Sequence, residues 1–189
     1  MRNERRTARL LNGISLMRVV MVVPVVVLVE LGPTVRYAYV AAAVLFTAAA
    51  ATDFLDGYLA RRWRATTELG VFLDTTADKL LVAGVLIALV AVGRAWPWAA
   101  VVIVGREIAV LGLKAAAATG GTVVKPSIWG KLKFNVQFVA ITAAIVRYPH
   151  RFGFLYLDQW AMTVAVVVTV LSAVEYFSRL SSVLGSGAQ

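Results

Sequence analysis

The sequence predicts an all-α integral membrane protein of six transmembrane helices with both termini on the cytoplasmic side. Of the 189 residues, 60% are hydrophobic, against ~45–50% in an ordinary soluble domain. Mean hydropathy is +0.80. The apolar residues gather into six runs, each near the ~20 residues that a bilayer core requires.

The first run covers Ile14–Leu31 and stops at Gly32-Pro33. Proline lacks the N–H that a helix interior needs, so the pair reads as an end. The second covers Tyr37–Ala60, the third Val71–Val92 and the fourth Trp96–Ala118. The fifth covers Gly130–Tyr148 and the sixth Gln159–Leu180. Residues 1–12 form a basic segment expected on the membrane surface. Its charges precede the first span without a small-residue cleavage site, so a removable signal is not expected. Residues 13–182 are expected to make the six-helix transmembrane domain. Residues 183–189, ending GSGAQ, read as a disordered tail.

Charge placement sets the orientation. Arg2, Arg5, Arg6, Arg9, Arg61, Arg62, Arg64, Lys114, Lys125, Lys131, Lys133 and Arg179 fall on one side. Arg36, Arg94, Arg147 and Arg151 fall on the other. The richer side is cytoplasmic by the positive-inside rule. That rule also accounts for the net charge of +9. No basic face interleaved with aromatics is present, so nucleic acid is not an expected partner. The chain has no cysteine and one histidine, His150, in a loop. Thiol chemistry and Cys-ligated metals are excluded. Any acid–base or metal chemistry rests on carboxylates and lysines.

The stretch DFLDGYLARRWRATTELGVFLDTTADK, Asp53 to Lys79, carries that chemistry. Asp53 and Asp56 are three apart near the end of the second span, and Ala60 follows on their face. Asp74 and Asp78 are four apart at the start of the third span, again on one face. A short connection makes the two helices antiparallel neighbours. Four carboxylates then converge, and their repulsion calls for protons or a cation. Oxygen ligands favour Mg²⁺, Mn²⁺ or Ca²⁺ over Zn²⁺. Two divalent ions among four carboxylates suit an in-line phosphoryl displacement. Gly57 and Gly70, with Ala60, leave a strip of small side chains. Such a strip admits a ligand to the backbone or lets two membrane helices approach.

Asp53-x-x-Asp56-Gly57-x-x-Ala60-Arg61, then eight residues, Gly70, three residues, Asp74, three residues and Asp78, resembles the signature of the CDP-alcohol phosphotransferases. Every fixed position is filled at the family's spacing. The resemblance implies a homodimer of six-helix chains with a site facing the cytoplasm. It implies two divalent ions, Mg²⁺ or Mn²⁺, held by Asp53, Asp56, Asp74 and Asp78. A CDP-linked donor would lie over Gly57, Ala60 and Gly70, with Arg61 near its phosphates. An acceptor hydroxyl would attack the β-phosphorus as CMP leaves, with Asp78 as general base.

Two later segments bear on the acceptor. Arg106 and Glu107 interrupt the fourth span, where a charge costs ~2.5 kcal/mol or more unless paired or wet. Neighbours on a helix point about 100° apart, so they need not pair with each other. A structural ion pair and an anion site are both open readings. Lys131 and Lys133 flank the start of the fifth span beside Gly130. They suit either a membrane-edge anchor or, with Arg106, the phosphate of an acceptor such as glycerol 3-phosphate. With Asn12-x-x-Ser15-x-x-Arg18, these segments are similar to the bacterial phosphatidylglycerophosphate synthase branch. The chain departs from that branch at Thr75, commonly Pro, and at Phe134, commonly Thr. The expected activity is transfer of a phosphatidyl group from CDP-diacylglycerol to glycerol 3-phosphate in the bacterial cytoplasmic membrane. Phosphatidylglycerol or inositol phosphate would be alternative acceptors. A cation transporter is the alternative from another class, but its acids would spread through the membrane depth rather than cluster at one edge.

Overall fold

The computed structural model describes residues 2–63, 68–119, 128–149 and 151–186, with side chains described outside 2–12, 14–15, 53–63, 68–69, 71, 118–119, 128–129, 131 and 179–186. Six helices dominate: α1 (Arg2–Leu31), α2 (Ala38–Trp63), α3 (Glu68–Ala91), α4 (Pro97–Thr119), α5 (Ile128–Val146) and α6 (Leu157–Ser186). They match the six apolar runs in order. The helices extend beyond the apolar runs where polar residues continue them. α1 begins at Arg2, within the basic segment, and α6 continues to Ser186. One feature differs from the all-α expectation. A small antiparallel hairpin, β1 (Arg151–Phe152) and β2 (Leu155–Tyr156), joins α5 to α6.

The chain forms two compact units, Met1–Arg94 and Ala95–Gln189. In the first, α1 packs against both α2 and α3. Gly84 permits the α1–α3 approach: a Cβ there would stand 2.9 Å from Val22 Cγ1. The buried contacts come from Val25 and Val29 on α1, Phe46 on α2, and Val85 and Leu89 on α3. α3 ends in a left-handed glycine, Gly93, with φ +68°. Arg94 N–H donates to Leu89 O at 2.7 Å and Gly93 N–H to Val90 O at 3.1 Å. That pattern satisfies carbonyls which the helix end would otherwise leave open. The Arg94 guanidinium then lies over the Tyr39 ring, 3.4 Å from its centroid.

In the second unit, α6 packs against α5 and α4. Arg147 and the hairpin make the α5–α6 turn. Arg147 adopts φ +43°, which takes the chain out of the helix. Its Nε donates to Asp158 Oδ2 at 3.1 Å, and the Asp158 side chain is only 1% exposed. Asp158 sits in the first turn of α6, where the helix dipole favours a negative charge. Trp160 Nε1 donates to Phe152 O at 3.0 Å and so ties the hairpin to α6.

Apolar side chains cover the outside of both units as well as their interiors. Val20, Val44, Ile87, Val101, Ile108 and Val174 are all exposed. Many core positions are alanines, including Ala42, Ala77, Ala88, Ala140 and Ala165. Small residues inside let helices approach closely where lipid rather than water surrounds them. Among the described residues one segment, Leu157–Ser178, is long and apolar enough by itself to cross a membrane. Shorter apolar stretches occupy Ala38–Thr52 and Leu132–Val146.

The Arg147–Asp158 pair is unequal, because Arg147 is 23% exposed and Asp158 almost fully buried. Arg147→Ala strands a buried carboxylate and is expected to cost about 3 kcal/mol. Asp158→Ala leaves an arginine able to reach water and is expected to cost about 1 kcal/mol. Thermal unfolding of both variants in detergent checks the order.

Candidate active site

The signature acids lie on facing ends of two neighbouring helices of the first unit. α2 carries Asp53, Asp56, Gly57, Ala60 and Arg61 in its last turns. Their side chains lie outside those described. α3 starts at Glu68 and carries Gly70 in its first turn, then Asp74 and Asp78. The backbone therefore places the two pairs as the spacing predicts, one near the end of α2 and one near the start of α3. The helices are antiparallel and in contact.

Asp74 has a partner that sequence reasoning left without a role. Arg18 Nη1 donates to Asp74 Oδ1 at 3.0 Å. Arg18 Nε donates to Ala49 O at 3.2 Å. The same carbonyl accepts from Thr52 Oγ1 at 2.7 Å. One guanidinium on α1 thus holds the backbone of α2 and a carboxylate of α3. Its side chain is 1% exposed, whereas that of Asp74 is 44% exposed. The buried arginine fixes the position of an acid that stays open on its other side. The signal in the sequence was a lone arginine inside an apolar run, which requires an acidic partner. Nothing local says which acid.

The donor set is made of carboxylates, which suits a hard divalent ion such as Mg²⁺ or Mn²⁺. Among the described residues no three acids or histidines stand close enough to hold an ion. Asp53 and Asp56 lie outside that comparison. Asp74 and Asp78, four apart on α3, are both partly exposed and share a face. They fit one side of such a site.

In the second unit a polar seam crosses the apolar interior. Glu107 Oε1 accepts from Lys133 Nζ of α5 in a very close contact. The same oxygen accepts from Arg106 Nη1 at 3.3 Å. Arg106 Nη2 donates to Ser172 Oγ of α6 at 2.7 Å. One turn away, Gln137 Nε2 donates to Thr169 Oγ1 at 2.8 Å, which in turn donates to Ala165 O at 2.6 Å. Arg106 and Lys133, singled out from sequence as phosphate ligands, do come together. They meet on Glu107, so the structural ion pair exists. The side chain of Lys131 lies outside those described. Glu107 and Arg106 pair although adjacent positions point apart, because both side chains are long enough to curl toward Lys133 and Ser172. Sequence reasoning missed Gln137, Thr169 and Ser172, whose only signal was a polar residue every third or fourth position along otherwise apolar helices.

The family model described as CDP-alcohol phosphatidyltransferase matches residues 9–171. The chain is 37% identical over 180 residues to a Bacillus subtilis (strain 168) protein named CDP-diacylglycerol–glycerol-3-phosphate 3-phosphatidyltransferase. That match covers 89% of this chain and 93% of the relative. A Pseudomonas fluorescens protein of the same name is 38% identical over 172 residues, covering 87% and 86%. One from Shigella flexneri serotype 5b is 36% identical over 170 residues, covering 87% and 91%.

Arg18 acts here through position. Arg18→Gln removes the grip on Asp74, which can rehydrate because it is half open. The expected stability loss is therefore small, about 1–2 kcal/mol. The expected loss of turnover is larger, about a hundredfold, as for a reacting group displaced by ~1 Å. Thermal unfolding and kinetics on the same preparation separate the two effects.

Proposed function

Because the chain belongs to the CDP-alcohol phosphatidyltransferase family, we propose that it transfers the phosphatidyl group of CDP-diacylglycerol to glycerol 3-phosphate, giving phosphatidylglycerophosphate and CMP. The observation that carries this reading is the complete acidic signature on two adjacent antiparallel helix ends. The relatives named for this reaction match over nearly the whole chain.

The residues divide the work as follows. Asp53, Asp56, Asp74 and Asp78 would hold two Mg²⁺ or Mn²⁺ ions. When bound, such ions neutralise pyrophosphate charge and acidify a nearby hydroxyl. Asp78 accepts the proton of the attacking acceptor hydroxyl. The new bond forms from that oxygen to the β-phosphorus, and the bond from the β-phosphorus to the oxygen of CMP breaks. Arg18 keeps Asp74 in register for the donor. Gly57, Ala60 and Gly70 present a low surface to the nucleotide, and Arg61 meets its phosphates. Arg106, Lys131 and Lys133 bind the phosphate of the acceptor. Glu107 holds two of these cations together while no phosphate is there, which offsets their mutual repulsion.

The membrane setting belongs to the same proposal. In that setting six spans would put both termini and the acidic site at the cytoplasmic face of a bacterial membrane. The apolar outer surface supports this, since exposed valine, leucine and isoleucine on every helix would be a liability in water. Lipid chains of the donor then enter sideways, and the soluble acceptor enters from the cytoplasm. The chain works as a homodimer.

The direct test is CMP release by the purified protein with CDP-diacylglycerol and Mg²⁺. Release should depend on added glycerol 3-phosphate. Release driven only by phosphatidylglycerol or inositol phosphate would replace the acceptor and keep the chemistry. Asp78→Asn is expected to lower kcat about a thousandfold, the scale of lost general-base catalysis, with donor binding retained. Lys133→Ala is expected to raise the acceptor KM about tenfold, the scale of one charge-assisted hydrogen bond. The donor KM should stay in place, and an equal rise in both would remove Lys133 from the acceptor site.

A further inference from the structure

Among the buried polar atoms of the second unit without a hydrogen-bond partner among the described residues are Arg106 Nε and Tyr176 Oη. A buried polar group left unpaired is destabilising. Tyr176 lies on α6 one turn past Ser172, the residue that accepts from Arg106 Nη2. Positions 172 and 176 share a helix face, so both point toward the arginine's side of α6. Tyr176 is 7% exposed and within electrostatic reach of Arg106. A phenylalanine at position 176 would fill the same space without burying a hydroxyl. Packing alone therefore gives no reason for the oxygen.

The surroundings say what it waits for. Nε of arginine is a donor only, while a tyrosine hydroxyl both donates and accepts. An anionic oxygen can accept from both at once, and the arginine's charge favours an anion. Arg106 also borders an open groove of about 570 Å³ between α4 and α6, lined otherwise by Val102, Val170, Ala173, Val174, Phe177 and Ser178. Arg106 lines this groove and carries one of the two atoms, so an oxygen lying in the groove reaches the guanidinium.

We propose that Arg106 Nε and Tyr176 Oη together donate to one phosphate-ester oxygen, which makes Tyr176 a specificity-determining contact of the reaction. The inference rests on the reading that Arg106 serves the acceptor phosphate. Two sources share this chemistry: the free acceptor, and the headgroup phosphate of a phospholipid whose chain lies along the apolar groove wall.

The test uses Tyr176→Phe in the full chain in mixed micelles. Measured quantities are the KM for each substrate, the dependence on phosphatidylglycerol mole fraction, and thermal unfolding. Removing an unpaired hydroxyl should leave the unfolding temperature unchanged or raise it. With the acceptor as source, the glycerol 3-phosphate KM rises about tenfold while the CDP-diacylglycerol KM holds, the size of one hydrogen bond to a charged group. With a lipid headgroup as source, that KM holds and the phosphatidylglycerol dependence shifts to higher mole fraction. No kinetic change in either arm overturns the inference. So does a lowered unfolding temperature with both KM values rising together, since that is the mark of a structural role. Arg106→Lys, which keeps the charge and loses Nε, separates this inference from its premise. An unchanged acceptor KM in Arg106→Lys, with no change in lipid dependence, overturns the role of Arg106 and with it the pair. A changed Arg106→Lys beside a silent Tyr176→Phe overturns the tyrosine contact alone.

Discussion

Charges inside apolar helices must find partners on other helices, and that constraint organises both units. An arginine at the centre of a bilayer costs ~2.5 kcal/mol or more when it stands alone. Arg18 meets this by reaching a carbonyl of α2 and a carboxylate of α3. Its planar fork fixes direction as well as distance, which a lysine would not. Glu107 does the corresponding work in the second unit. One of its oxygens receives cations from α4 and α5, and Arg106 carries the connection on to α6. In each unit three helices are referred to a single charged group. The apolar contacts then fill space around positions that the charges have already fixed.

The same economy shapes the chemistry. In the first unit an interior arginine orients an acid that stays 44% exposed. In the second, an interior acid gathers cations that would otherwise repel. Each unit stores the charge opposite to the one it presents. Side chains held by such partners are oriented in advance, which is what preorganisation requires.

The helices were legible in the sequence because runs of about twenty apolar residues have few other outcomes. Their ends were less so. Trp63, Glu68 and Ser186 lie outside the apolar runs, yet α2 extends to the first, α3 begins at the second and α6 extends to the third. The hairpin at 151–156 was not legible, since two-residue strands carry no periodicity and Gly153 marks a turn of any kind. The acidic signature was readable because helical spacing converts directly into a shared face. The hold of Arg18 on Asp74 was not, because its partner lies 56 residues along the chain. Ser172, Thr169 and Tyr176 were hidden for another reason. A single hydroxyl in an apolar run satisfies itself on its own helix often enough to draw no notice, as Thr169 in part does.

The distance between Arg18 and Asp74 along the chain also has a meaning in time. α1 is made first, and its arginine leaves the ribosome before the aspartate that neutralises it has been translated. At ordinary synthesis rates the interval is on the order of several seconds. During it, the first helix carries a cation whose bond to Asp74 is not yet made. Completion of α3 supplies the counter-charge, and Gly84 leaves room for the two helices to close on each other. The arginine's bonds therefore tie the first three helices together only once all three have been made.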